Sequence, residues 1–113
     1  MKVIISLQPI ANINLKNLSE NYDFIKNKVG KCKVFGVVKA NAYGHGIVQV
    51  AKLLSDKGID GFCVALQKEI DVLCDNGISK PILHLGKFSY SNLINHKKNV
   101  IVTINTVNDI KKK

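Results

Sequence analysis

The stretch Val34-Phe35-Gly36-Val37-Val38-Lys39-Ala40-Asn41-Ala42-Tyr43-Gly44-His45-Gly46 decides how the rest of the chain is read. Its opening, Val34 to Val38, is short and almost wholly apolar, the pattern of a strand buried on both faces in a parallel sheet. A lysine follows at once, then small residues, a tyrosine, and glycines on both sides of His45. In a parallel βα fold this is the carboxyl end of a strand, where active sites are built. A lysine there projects from the strand mouth into a partly desolvated pocket. Burial disfavours its ammonium form and leaves an amine able to form a Schiff base. Tyr43 can reach back toward the same mouth, and Gly44 and Gly46 let the backbone turn close to a ligand. The same spacing fits a plainer alternative, in which Lys39 extends to solvent from an ordinary strand end and the glycines form only the turn.

Outward from this segment, the pattern alternates. Toward the N-terminus, Leu15, Leu18, Tyr22, Ile25 and Val29 recur at spacings of three and four, which predicts a helix with one apolar face, stopped by Gly30. Toward the C-terminus, Ile47 to Lys57 is helical, with Val50, Ala51, Leu53 and Leu54 inward and Gly58 at its end. Phe62-Cys63-Val64-Ala65 is a second buried strand. Gln67 to Asn76 is a helix turning Ile70, Leu73 and Cys74 inward, closed by Gly77. Pro81 to Leu85 is a third strand, with proline at its tolerated first position. Phe88 to His96 reads as a weaker, short helix, Val100 to Ile104 as a fourth strand, and Thr106 as the cap of a helix starting at Val107. Strand and helix in strict alternation mean an α/β fold with a parallel sheet, either doubly wound or a TIM barrel. The last residues, Asn108 to Lys113, begin an amphipathic helix without completing its apolar face. A barrel needs eight strands and ~250 residues, so the expectation is half of a larger unit.

Composition narrows the function classes. With 113 residues, 46% hydrophobic, 22% charged and two prolines, the chain suits one soluble domain or part of one. The formal charge of +9 raises a nucleic-acid or acidic-membrane partner. All 17 basic residues are lysine, however, and arginine, which gives planar bidentate phosphate contacts, is absent. The lysines are scattered apart from Lys97-Lys98 and Lys111 to Lys113, so neither nucleic acid nor membrane is expected as a partner. Cys32, Cys63 and Cys74 form no C-x-x-C and read as small buried hydrophobes in a reducing compartment. The start has too short an apolar run for a secretory signal, and no segment has the length of a membrane span, so the expected location is cytoplasmic. His45 belongs to the turn, His84 alternates with Leu83 and Leu85 as a core or mouth residue, and His96 reads as exposed. No His, Cys, Asp or Glu spacing suggests a metal site. Tyr22 lies on the core-facing helical stripe and Tyr90 in a polar loop or short helix, so neither is assigned to catalysis.

The run from Val37 to Gly46 resembles, without interruption, the cofactor-attachment signature of the alanine racemase family. The likeness extends to Ala11-Asn12-Ile13-Asn14-Leu15-Lys16-Asn17-Leu18 with Asn21, to Gly61-Phe62-Cys63-Val64-Ala65 with Glu69 and Asn76-Gly77-Ile78, and to Pro81-Ile82-Leu83-His84-Leu85-Gly86. It covers nearly the whole chain and is weakest after Gly86. The resemblance implies an N-terminal (β/α)8 barrel followed by a mostly β domain, in a homodimer. Residues 1–113 would then be the N-terminal portion of that barrel, the first half of its strands, with the barrel incomplete and the C-terminal β domain absent. It also implies pyridoxal 5'-phosphate as cofactor, carried on Lys39 as the catalytic lysine, with Tyr43 hydrogen-bonding the cofactor phosphate. The reaction implied is the interconversion of L-alanine and D-alanine, an isomerase step that supplies D-alanine for cell-wall peptidoglycan. Lys39 would exchange the α proton on one face. The group for the other face would be a tyrosine of the partner subunit, outside this sequence, so these 113 residues alone are expected to be inactive. A barrel that holds pyridoxal phosphate without racemising is the alternative, and Asn41 to Gly46 argue against it. Racemases of serine or basic amino acids share the motif, so the resemblance leaves substrate breadth open.

Overall fold

In the computed structural model, which describes residues 8–89 and 99–111, helix α1 (Leu15–Val29) starts at Asn14. The Asn14 side chain accepts a hydrogen bond from Asn17 N–H at 3.0 Å, satisfying one of the donors that a helix start leaves free. Gly30, at φ +58°, ends it with its N–H donating to Lys26 O. Strand β1 (Phe35–Val37) follows, then the short segment α2 (Lys39–Tyr43) and helix α3 (Ile47–Asp56). Next come β2 (Gly61–Val64), α4 (Gln67–Asp75), β3 (Ile82–His84), β4 (Val100–Val102) and α5 (Val107–Lys111). Strands β1, β3 and β4 are each two residues shorter than expected from sequence, because pairing stops where the chain turns toward a helix, and β2 keeps its length but starts one residue earlier, at Gly61. Thr106 does cap α5: its hydroxyl accepts from Asp109 N–H at 3.3 Å, and Asp109 Oδ2 accepts from Asn105 and Thr106 N–H at 3.0 Å each. Most of the segment predicted as helix from Phe88 to His96, including Tyr90 and His96, lies outside the described residues.

The four strands are all parallel and lie in the order β1-β2-β3-β4, so each pairs with the next along the chain. That order separates the two folds the alternation allowed. A doubly wound sheet reverses its strand order and carries helices on both faces, whereas an unreversed series of right-handed crossovers places every helix on the same face. This is the wall of a (β/α)8 barrel, and four strands are the first half of it.

The core lies between sheet and helices. Phe62, Val64 and Ile82 from the strands meet Val50, Ala51 and Leu54 of α3 and Ile70 and Leu73 of α4. Burying each of the larger aliphatic side chains contributes about 1.5–3 kcal/mol. On the opposite sheet face lies the paired row Val37, Cys63, Leu83 and Ile101, where Val37 and Ile101 are 42% and 47% exposed among the described residues.

Two expectations need correction. Of the α1 stripe, Tyr22 is buried and Leu18 partly so, but Leu15, Ile25 and Val29 are exposed. The helical period identifies an apolar face without saying what is present to cover it. Here α1 meets α3 alone in force among the described elements, aided by the Lys57–Asp23 ion pair at 2.8 Å. Of the cysteines, Cys63 is buried and Cys74 half-buried, whereas Cys32 is exposed, because it lies in the turn between α1 and β1 rather than in either element.

Candidate functional site

Val38 closes β1 by donating its N–H to Cys63 O at 3.0 Å, and the next residue is Lys39. The lysine thus stands at the carboxyl end of the first strand, half-buried, as its place in the sequence predicts. No carboxylate forms an ion pair with it among the described residues. Its Nζ lies 6.0 Å from the centroid of the Tyr43 ring, so lysine and tyrosine do share one mouth. Tyr43 is 59% exposed. A recess of about 590 Å³ opens beside Lys39, walled by Ala65, Leu66, Lys68 and Val72.

What carries the two residues is not an ordinary turn. Ala40, Asn41 and Ala42 all have left-handed helical dihedrals, at φ/ψ of 52°/49°, 56°/43° and 54°/46°, and Tyr43 follows at φ 55°. Each such residue with a side chain costs about 1–2 kcal/mol over the right-handed form, and runs of them are rare. A conformation this costly persists only where its surroundings fix it, and the fixing contacts are specific. Ala42 N–H donates to Val38 O at 2.8 Å, and Gly46 N–H to Asn41 O at 2.9 Å. Asn41 Oδ1 accepts from Ile47 N–H at 2.9 Å, which caps α3 at an N-terminus where Gly46 has no side chain to do so. His45 donates from Nδ1 to Ala42 O at 2.9 Å, which makes it part of the turn, as expected. Gly44 and Gly46, at φ +86° and +95°, complete the reversal into α3.

A residue that the sequence offered only as part of the family likeness, without a role, reaches this turn from the next βα unit. Glu69, in the first turn of α4, is only 6% exposed. Its Oε1 accepts from Ala65 and Leu66 N–H at 2.9 and 2.8 Å, and its Oε2 accepts from Ala40 N–H at 2.7 Å. In the sequence Glu69 looks like any first-turn acid on a helix, and only the fold shows its second oxygen crossing to β1's turn. His84, 1% exposed on β3, donates from Nε2 to Ala65 O at 3.2 Å, so it is the core residue its alternation suggested. Among the described residues no group of three or more His, Cys, Asp or Glu comes together, and no helix is long and apolar enough to cross a membrane.

Comparison with known proteins bears on what this mouth belongs to. The family model for the alanine racemase N-terminal domain matches residues 13–113. The chain belongs to the alanine racemase family. It is 46% identical, over 74 residues, to alanine racemase from Clostridium kluyveri, a match covering 66% of this chain and 19% of that protein. The solved alanine racemase of Clostridium difficile 630 in complex with cycloserine superposes with a TM-score of 0.80 at 40% identity, covering 88% of this chain and 27% of that one. Histidine racemase from Leuconostoc mesenteroides is similar too, with a TM-score of 0.74 at 29% identity over 86% of this chain and 26% of its own. The chain therefore spans only a minor share of the length of the alanine racemase family members it matches.

Proposed function

We propose that this chain supplies the lysine face of a pyridoxal-phosphate-dependent amino-acid racemase, with alanine as its substrate. The observation that carries the reading is Lys39: a half-buried amine without an ion-pair partner among the described residues, set at the mouth of the first barrel strand beside Tyr43. The donor set fits the cofactor. A primary amine answers an aldehyde, and the exposed Tyr43 phenol is a hydrogen-bond donor for a phosphate oxygen. Lys39 would hold pyridoxal phosphate covalently, and Tyr43 would orient its phosphate. When bound, the cofactor supplies an electron sink for the negative charge left at the substrate's α carbon.

The protein's own part is proton handling and exclusion of water. The Lys39 amine takes the α proton from one face of the substrate and returns it there. Inversion needs a second acid/base on the other face, and no residue of this sequence is assigned to that role. Residues 1–113 are read as the N-terminal portion of the barrel domain. The second group, and with it a homodimer, would come from chain beyond it. On this reading the 113 residues alone interconvert no alanine. The product, D-alanine, would serve cell-wall synthesis, in the cytoplasm. The likeness to histidine racemase makes histidine the second amino acid to assay.

The test is intact mass after incubation with pyridoxal phosphate and borohydride. Reduction should fix one cofactor on Lys39, and the Lys39→Ala protein should gain none. Equal labelling of the two proteins, or labelling spread over the surface lysines, would overturn the assignment.

A further inference from the structure

Glu69 carries more than a helix cap requires. An acid in the first turn of a helix commonly accepts from the N–H groups at the helix start, and its Oε1 does this with Ala65 and Leu66. The bond from Ala40 N–H to Oε2, 2.7 Å long, contributes nothing to α4. It spans 29 residues and ends on the peptide that joins Lys39 to Ala40. The orientation of that peptide plane is ψ of Lys39, so it fixes the lysine's Cα–Cβ direction relative to the turn that carries Tyr43. It is also where the left-handed run begins. A hydrogen bond to a buried carboxylate is of the stronger, charge-assisted kind, and the Glu69 partners given by the geometry are all backbone N–H groups.

We propose that Glu69 is the positioning residue for Lys39, holding the Lys39–Ala40 peptide so that the left-handed turn presents the lysine amine at the strand mouth. This rests on Lys39 being the cofactor lysine. The alternative is a purely structural acid, which would matter to the stability of α4 and not to Lys39.

Glu69→Gln separates the two. Glutamine retains an oxygen for Ala65 and Leu66 but turns an N–H toward the Ala40 N–H. In the cofactor-free protein, amide exchange at Ala40 should quicken about tenfold or more, while Ala65 and Leu66 stay protected. In the loaded protein, the concentration of pyridoxal phosphate needed for half-maximal trapping on Lys39 should rise by a similar factor, whereas a purely structural acid would lower the unfolding midpoint and leave the trapping concentration where it was. In that trapping the lysine amine adds to the aldehyde carbon and water leaves. Borohydride then delivers hydride to that carbon, and the nitrogen takes a proton. Unaltered cofactor trapping, with Ala40 still protected, would overturn the proposal. So would an Ala40 amide that exchanges as freely as exposed loop amides in the unsubstituted protein, a result that needs no variant to fold. Failure of the unsubstituted protein to trap cofactor on Lys39 at all would instead remove the cofactor reading, and Glu69's role with it, whatever Ala40 exchange shows.

Discussion

Replacing Ala40 by glycine should stabilise this protein, although the same change in an ordinary helix destabilises. Ala40 sits at φ 52°, ψ 49°, where a residue with a Cβ pays about 1–2 kcal/mol and glycine almost nothing. The side chain is exposed, so little packing is lost with its methyl. Against the gain stands the greater freedom of glycine in the unfolded chain, about 0.5–1 kcal/mol. The balance is a stabilisation of about 0.5–1 kcal/mol, or about 0.3–0.5 M in the urea midpoint for a slope near 2 kcal/mol/M. Ala51→Gly is the control, at a buried, right-handed position of α3. It should cost about 1 kcal/mol in helix propensity and nearly as much again for the buried methyl. Cofactor trapping on Lys39 should move the other way from stability. Glycine samples both hands, so Ala40→Gly should bind pyridoxal phosphate more weakly while unfolding at higher urea. A lowered midpoint for Ala40→Gly would refute the assignment of left-handed strain to this turn.

Two more outcomes follow from the packing at the strand ends. Gly86→Ala would drive a Cβ into the backbone oxygen of Ala65, an atom with no rotamer to retreat into, and should cost about 1–3 kcal/mol in urea unfolding; full tolerance would mean that β3 does not approach β2's turn so closely. With a thiol-reactive probe at neutral pH, Cys32 should react first and Cys63 and Cys74 far more slowly, since burial pushes both thiols above the ordinary 9.0, for Cys74 with help from Asp71 and Asp75. A thiol that holds its proton more tightly when folded contributes stability below pH 9.0 that is lost as pH rises through its folded value, so unfolding should become easier in that alkaline window. Equal reactivity of all three at neutral pH would show that β2 and α4 are not packed.

Much of the architecture was legible because its signals are local. Apolar runs such as Phe62 to Val64 have few alternatives to a buried parallel strand, and Gly30, Gly58 and Gly77 fall at helix ends with φ of +58°, +87° and +79°. Lys39 and Tyr43 were visible for the same reason, as neighbours in one unbroken segment. What the sequence hid depends on contacts between distant segments. Nothing in Ala40-Asn41-Ala42-Tyr43 announces a left-handed run, since only Asn41 has any tolerance for that region. Its hand comes from Val38, Glu69 and Ile47, which hold it from three sides. The role of Glu69 was hidden for the same cause: its capping oxygen is a local feature, and the oxygen that reaches Ala40 is not. The exposure of Ile25 and Val29 is the converse case, a sound local pattern whose covering surface is not among the described elements.

These contacts also explain why the strained turn can be held at a strand mouth, where chains are usually loose. Ala65 ties three strands together there. Its N–H is taken by Glu69, whose other oxygen holds Ala40 after β1, while its carbonyl accepts from His84 of β3 and lies against Gly86. Leu85 N–H adds a bond to Val64 O at 2.8 Å, and Thr103 beyond β4 donates to His84 O at 2.8 Å. A left-handed segment of four residues stores about 4–8 kcal/mol by the figures for single residues, which isolated loop contacts could not hold. Joined to the ends of β2, β3 and β4, the turn can relax only by disturbing all of them. The opposite arrangement holds on the other face of the sheet, where Val37 and Ile101 are half-open among the described residues. The sheet is therefore tied most tightly at the strand ends beside Lys39, the arrangement that holds a side chain in one place.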